Sequence, residues 1–162
     1  MRLDARVVAG VALWLAITGC ATSPTAPDDA ATVAAPFEGD ARSALNAAWQ
    51  RWRAQRAESY DFTVSVFCFC PPRFTTIVRF HVRQGVSETQ DVDPALRAWF
   101  SRFETIDAIF EELSAILDHG PFRFSASYHP LLGYPTSVAI DYEEFLADDE
   151  LGLGVVDFSV LP

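Results

Sequence analysis

The chain has 162 residues, half of them hydrophobic and 13% aromatic, with 22 acidic against 12 basic side chains and a formal charge of −10. That length and apolar content suit one domain with its own core. The acidic excess argues against nucleic acid and makes anionic lipid surfaces poor partners.

Residues 1–19 have the three parts of a secretory signal: Arg2 and Arg6, an apolar run from Val7 to Ile17, and small residues before Cys20. The run is about half of the roughly 20 residues that cross a bilayer as a helix, so it reads as a segment to be removed. Ile17-Thr18-Gly19-Cys20 resembles the lipobox of bacterial lipoproteins, in which the thiol of the cysteine is lipidated and the chain is cut just before it. Several acyl chains on Cys20 would anchor the protein firmly, since a single chain binds membranes only marginally. Ala21 in place of an aspartate favours an outer-membrane destination, facing the periplasm or the cell surface. The stretch 20–40 is Ala, Thr, Ser, Pro and Asp with little to bury, the composition of a disordered tether. Removal of Arg2, Asp4 and Arg6 with the signal leaves 10 basic and 21 acidic residues, a formal charge of −11. Every basic residue is arginine, a compositional bias that weakens arguments from arginine at any one position.

Residues 41–162 form the expected single domain. Over 41–58, Leu45, Ala48, Trp49 and Trp52 fall on one helical stripe, with Gln50, Arg51, Arg53 and Arg56 elsewhere. From Tyr60 the period becomes two. Tyr60, Phe62, Val64, Val66, Cys68 and Cys70 share one face until Pro71-Pro72 ends the strand. Val78, Phe80 and Val82 make a second strand, and a turn at Gln84-Gly85 leads to a short third near Val86. A short helical turn is expected within 94–103. Thr105 stands at an N-cap position, apolar residues from Ile106 to Leu117 recur at three-and-four spacing, and Gly120 supplies the stop. Phe122, Phe124, Ala126 and Tyr128, then Val138, Ile140 and Tyr142, then Val156, Phe158 and Val160 read as three more strands. The expected class is α+β: an antiparallel sheet of about five to six strands, two main helices packed on one face, in the order α-βββ-α-βββ. No Gly-rich phosphate loop follows any strand.

Tyr60-Asp61, Cys68-Phe69-Cys70-Pro71-Pro72, Thr105-Ile106-Asp107 with Phe110, Tyr128, Leu132-Gly133-Tyr134-Pro135, Asp141 and Ala147-Asp148-Asp149-Glu150 together resemble a family of small bacterial exported proteins, often lipoproteins, known only as a domain of unknown function. The resemblance covers roughly residues 45–160. It implies an exported domain and carries no activity. His129 follows Tyr128 where the family pattern more usually has aspartate, so a role for that carboxylate does not transfer.

The Cys68/Cys70 pair is the most unusual feature. In an exported protein it reads as a disulfide fixing a strand end, as a redox-active pair, or as part of a metal site. On a flat strand, residues two apart stand farther apart than bridged Cβ atoms prefer, so closure requires a bend, which the two prolines supply. Strand periods place His81 and His129 on the face opposite the cysteines, which weakens a metal site; no metal and no cofactor is expected. Gly133-Tyr134-Pro135 is a turn signal, with Tyr134 a packed aromatic rather than a catalytic acid. Asp141, Glu143, Glu144, Asp148, Asp149 and Glu150 lack EF-hand spacing and read as a solvated loop partly capping an arginine.

The polar sheet face holds Asp61, Thr63, Ser65, Arg79, His81, Arg83, Arg123, Ser125, Ser127 and His129, ordinary material for cross-strand charge pairs. Strict alternation adds Phe67 and Phe69. Two rings beside Arg79, His81, Arg83, Arg123 and His129 form the candidate binding surface, for an envelope protein or a small ligand. No Gly-x-Ser-x-Gly elbow and no His-Glu-x-x-His helix occurs, and no catalytic residue is assigned. The expectation is a lipid-anchored, non-enzymatic binding domain of the cell envelope; the alternative is a redox or metal-handling protein centred on Cys68 and Cys70.

Overall fold

The computed structural model describes residues 41–55, 57–89 and 92–161; the expected signal, the expected lipidation at Cys20 and the expected tether lie outside the described residues. The α+β class holds: the described residues form three helices and one antiparallel sheet of six strands.

Helix α1 (Ala41–Gln55) buries Leu45, Ala48 and Trp52, the stripe expected from the sequence. Strand β1 (Tyr60–Cys68) turns Tyr60, Phe62, Val64 and Val66 inward. A 3-10 turn at Pro72–Phe74 follows, then β2 (Ile77–Arg83) and the two-residue β3 (Val86–Ser87). The short helix α2 (Arg97–Phe100) and a 3-10 turn over Ser101–Phe103 carry Phe100 and Phe103 into the core. Helix α3 (Ile106–His119) begins where Thr105 accepts a hydrogen bond from Ala108 N at 3.0 Å. It ends at Gly120, whose φ of 70° is left-handed backbone that suits glycine. The chain closes with β4 (Arg123–Tyr128), β5 (Pro135–Asp141) and β6 (Leu151–Val160).

The sheet runs β3-β2-β1-β6-β5-β4. Each group of three strands is a meander, and the two meanders join where the first strand meets the last. One row crosses four strands through Cys68, Leu151, Ile140 and Phe124, which fixes one end of the sheet. The buried sides of α1 and α3 meet the inward residues of the sheet in a single core.

Three details differ from simple alternation. Strand β6 begins at Leu151 and buries Leu151, Leu153 and Val155, while Val156 and Val160 are exposed. The register shifts opposite Asp61 and Thr63, and Asp157 takes φ 51°; this extra residue changes the phase of the strand, so that Phe158 packs beside Trp52, Tyr60 and Tyr134. Phe122 and Tyr142, expected inward, lie just beyond the ends of β4 and β5 and are exposed. Strand β4 ends at Tyr128, so His129 lies beyond it, against Tyr134 and off the polar sheet face.

Candidate functional site

Asp61 is the hub of the outer polar face at one end of β1. Arg83 Nη1 and His81 Nδ1 approach its Oδ1 at 2.8 and 3.1 Å, and Arg79 Nη2 lies 3.7 Å from Oδ2. Burial alone would push this carboxyl up, but hydrogen bonds from Arg83 and then His81, with the charges behind them, hold it below its ordinary range. These are cross-strand pairs between β1 and β2, so Arg79, His81 and Arg83 are occupied with one another through Asp61.

Phe67 and Phe69 stand at the other end of β1, six and eight residues from Asp61. At about 3.3 Å per residue the first interval alone is roughly 20 Å. The two rings are 74% and 75% exposed. Between and after them, Cys68 and Cys70 form a disulfide with Cα atoms 5.2 Å apart, closing the strand end into a small loop. Phe67 pairs with Gly152 on β6, and a Cβ there would come within 3.3 Å of Phe67 Cβ. The missing side chain leaves room for the ring to lie against the β6 backbone. A shallow groove lined by Arg73, Ile77, Arg79, Val92 and Leu96 flanks this end.

Arg123 stands on β4, three strands from β1, with its guanidinium 5.4 Å from the Phe122 ring centroid. His129 belongs to the Gly133-Tyr134-Pro135 turn. Its Nδ1 accepts from Leu132 N at 3.0 Å, its N–H donates to Tyr134 O at 2.8 Å, and its ring stacks on Tyr134 with centroids 4.9 Å apart. Tyr134 in turn stacks on Phe158 at 4.5 Å, a packed aromatic whose phenol is pushed up by burial. The structure therefore brings Arg79, His81 and Arg83 together, groups Phe67 and Phe69 at the disulfide, and leaves Arg123 and His129 elsewhere. Neither His81 nor His129 is beside the cysteines. Among the described residues no group of three or more His, Cys, Asp or Glu is placed to hold a metal ion.

The acidic loop differs from its expected role. Asp149 Oδ2 accepts from Glu143 N at 2.7 Å, so it caps the loop backbone; no ion pair joins this cluster to an arginine among the described residues.

Sequence reasoning missed two features. Asp107 accepts the indole N–H of Trp49 at 2.9 Å and of Trp52 at 3.1 Å, tying α1 to α3. Phe145, 93% exposed, and its neighbour Leu146 project from the acidic loop. The second had a signal, an apolar pair inside a run of carboxylates.

The model of the Family of unknown function (DUF6174) matches residues 44–160. No curated protein and no solved structure matches the chain.

Proposed function

The chain belongs to that family of unknown function, and on this premise we propose that it is a lipid-anchored, non-enzymatic binding domain of the bacterial cell envelope. In this reading residues 1–19 are the signal, Cys20 carries the acyl chains, and 20–40 tether the domain to the outer membrane, on its periplasmic or outer side. The domain engages another envelope component through the end of the sheet that carries Phe67 and Phe69.

The observation that carries the reading is the exposure of those two rings, 74% and 75%, on a strand end closed by the Cys68–Cys70 disulfide. A flexible loop can tuck its rings away; a cross-linked one holds them out at a continuing hydration cost. The charged triad on Asp61 is internally paired, and the Tyr134 turn is packed, so neither competes as a docking site.

A photo-crosslinking amino acid in place of Phe69, irradiated in intact cells, tests this. A discrete envelope adduct, absent when the same group replaces Leu131, is the expected result. Equal labelling at both positions would sink the proposal.

A further inference from the structure

We propose that the component met by the Phe67–Phe69 end is the lipid surface itself, and that the domain sits on a zwitterionic bilayer with this end partly immersed. The inference rests on the anchoring reading given above and names the partner of that same end.

Five aromatic side chains are exposed among the described residues: Phe67, Phe69, Phe122, Tyr142 and Phe145. The strand directions put all five at one end. β1 finishes there at Cys68, paired with Leu151, where β6 starts; β5 finishes there at Asp141, paired with Arg123, where β4 starts. Exposed Ile77, at the start of β2, and Leu146, in the loop before β6, belong to the same end. The opposite end exposes aliphatic Val86, Leu131 and Val160 and no ring. Rings with an apolar body and a polarisable face favour the headgroup boundary of a bilayer, and several on separate loops can enter it together.

The point where the tether joins selects the same end. Arg42, the second residue of α1, bonds to Ser114 Oγ at 2.6 Å and Asp118 Oδ1 at 2.6 Å, near the C-terminus of α3. That helix leads through Gly120 into Phe122. Ala41 therefore opens the domain on the side of the exposed rings. Between Cys20 and Ala41 the chain can reach at most roughly 70 Å. Such a tether keeps this end within reach of the bilayer without wrapping around the domain.

Charge sets the lipid class. The arginines Arg73 and Arg123 lie over Phe74 and Phe122, with guanidinium-to-ring distances of 5.0 and 5.4 Å. Asp141, Glu143, Glu144, Asp148, Asp149 and Glu150 surround Phe145 in the opposite sign, the side that faces a headgroup's ammonium. Both signs interleaved with rings match a headgroup carrying a phosphate and an ammonium. With the signal removed, 10 basic against 21 acidic residues give a net charge of −11, which opposes an anionic surface.

The test uses the full acylated chain with a fluorophore on Phe145→Cys, or on Leu131→Cys as the opposite-end control, reconstituted in phosphatidylcholine vesicles. An aqueous quencher should reach the label at 145 about fivefold less readily than at 131. Adding Phe67→Ser and Phe69→Ser should remove that protection, and replacing part of the lipid by phosphatidylglycerol should reduce it. Equal quenching at the two positions overturns the inference and leaves the anchor untouched; protection that appears in native envelopes but not in pure lipid assigns the end to a protein and also overturns it. Intact mass reports separately on Cys20: an unacylated cysteine overturns the anchoring reading, and this orientation with it.

Discussion

Gly133 lies against Ala48 so closely that any side chain would overlap the helix backbone. A Cβ at Gly133 would overlap Ala48 O and stand 2.9 Å from both Arg51 Cβ and Trp52 N, and the residue's φ is 86°. Gly133→Ala therefore combines left-handed strain with a clash against immovable backbone, and should lower unfolding stability by about 3 kcal/mol or more. Urea denaturation followed by tryptophan fluorescence measures it; a loss under 1 kcal/mol, on the order of a surface substitution, would mean that the turn does not rest on α1.

Asp107 gathers two indole N–H groups from successive turns of α1. Asp107→Ala leaves both half-buried donors without their acceptor and should cost about 2–3 kcal/mol, while Asp107→Asn, which keeps one oxygen, should cost about half as much. The same denaturation series gives both numbers. Equal values for the two variants would show that the carboxylate charge, not acceptance of the indoles, matters.

Acid should loosen the sheet through Asp61. Its folded-state titration lies below its ordinary value of 3.8, so its contribution is complete above that value and disappears as pH falls through the lowered one. Asp61→Asn should flatten the stability profile at and below pH 3.8 and cost about 1 kcal/mol at neutrality, a modest figure because its partners are partly solvated. Thermal melts of both proteins across that range decide it.

Alkali acts through Tyr60, whose phenol is driven by burial up to about 12, although Ile106 N donates to its oxygen at 3.1 Å. Here the folded state holds its proton more tightly than the unfolded chain, so the contribution is whole below pH 10 and is lost between 10 and about 12. Tyr60→Phe should remove up to about 2–3 kcal/mol of that alkaline decline, at the expense of the Ile106 amide. Denaturant titrations at pH 9 and 11.5, taken as roughly bracketing the window, provide the comparison.

The disulfide should matter more to docking than to folding. A bridge between residues two apart closes a very small loop, so Cys68→Ser with Cys70→Ser should cost about 1–2 kcal/mol and leave a cooperative melt. Photo-adduct yield at position 69 should fall, because the rings lose their fixed presentation. Unimpaired yield would detach the bridge from recognition.

Helix α3 was legible because its signals are local: an N-cap threonine, a 3.6-residue period and a terminal glycine all lie within 105–120. The strands were legible by alternation, until a local event reset the count. Leu151, not Val156, sets the inward phase of β6, Asp157 then resets it so that Phe158 turns inward, and β4 stops at Tyr128, leaving His129 to the Tyr134 turn. Nothing in residue type announces either event. The Asp107 clamp depends on α1 meeting α3, and the gathering of rings on which strands become neighbours; both pairings join residues far apart in the chain.

The pairing of β1 with β6 also governs when this protein can fold. Residues 60–68 wait for a partner at 151–160, so a ribosome must release nearly all of the domain before its central seam can close. Either meander alone keeps an unpaired edge beside apolar side chains. If the chain is exported as proposed, that delay is protective: the nascent protein stays extended, and the last strand to emerge locks the structure on the far side.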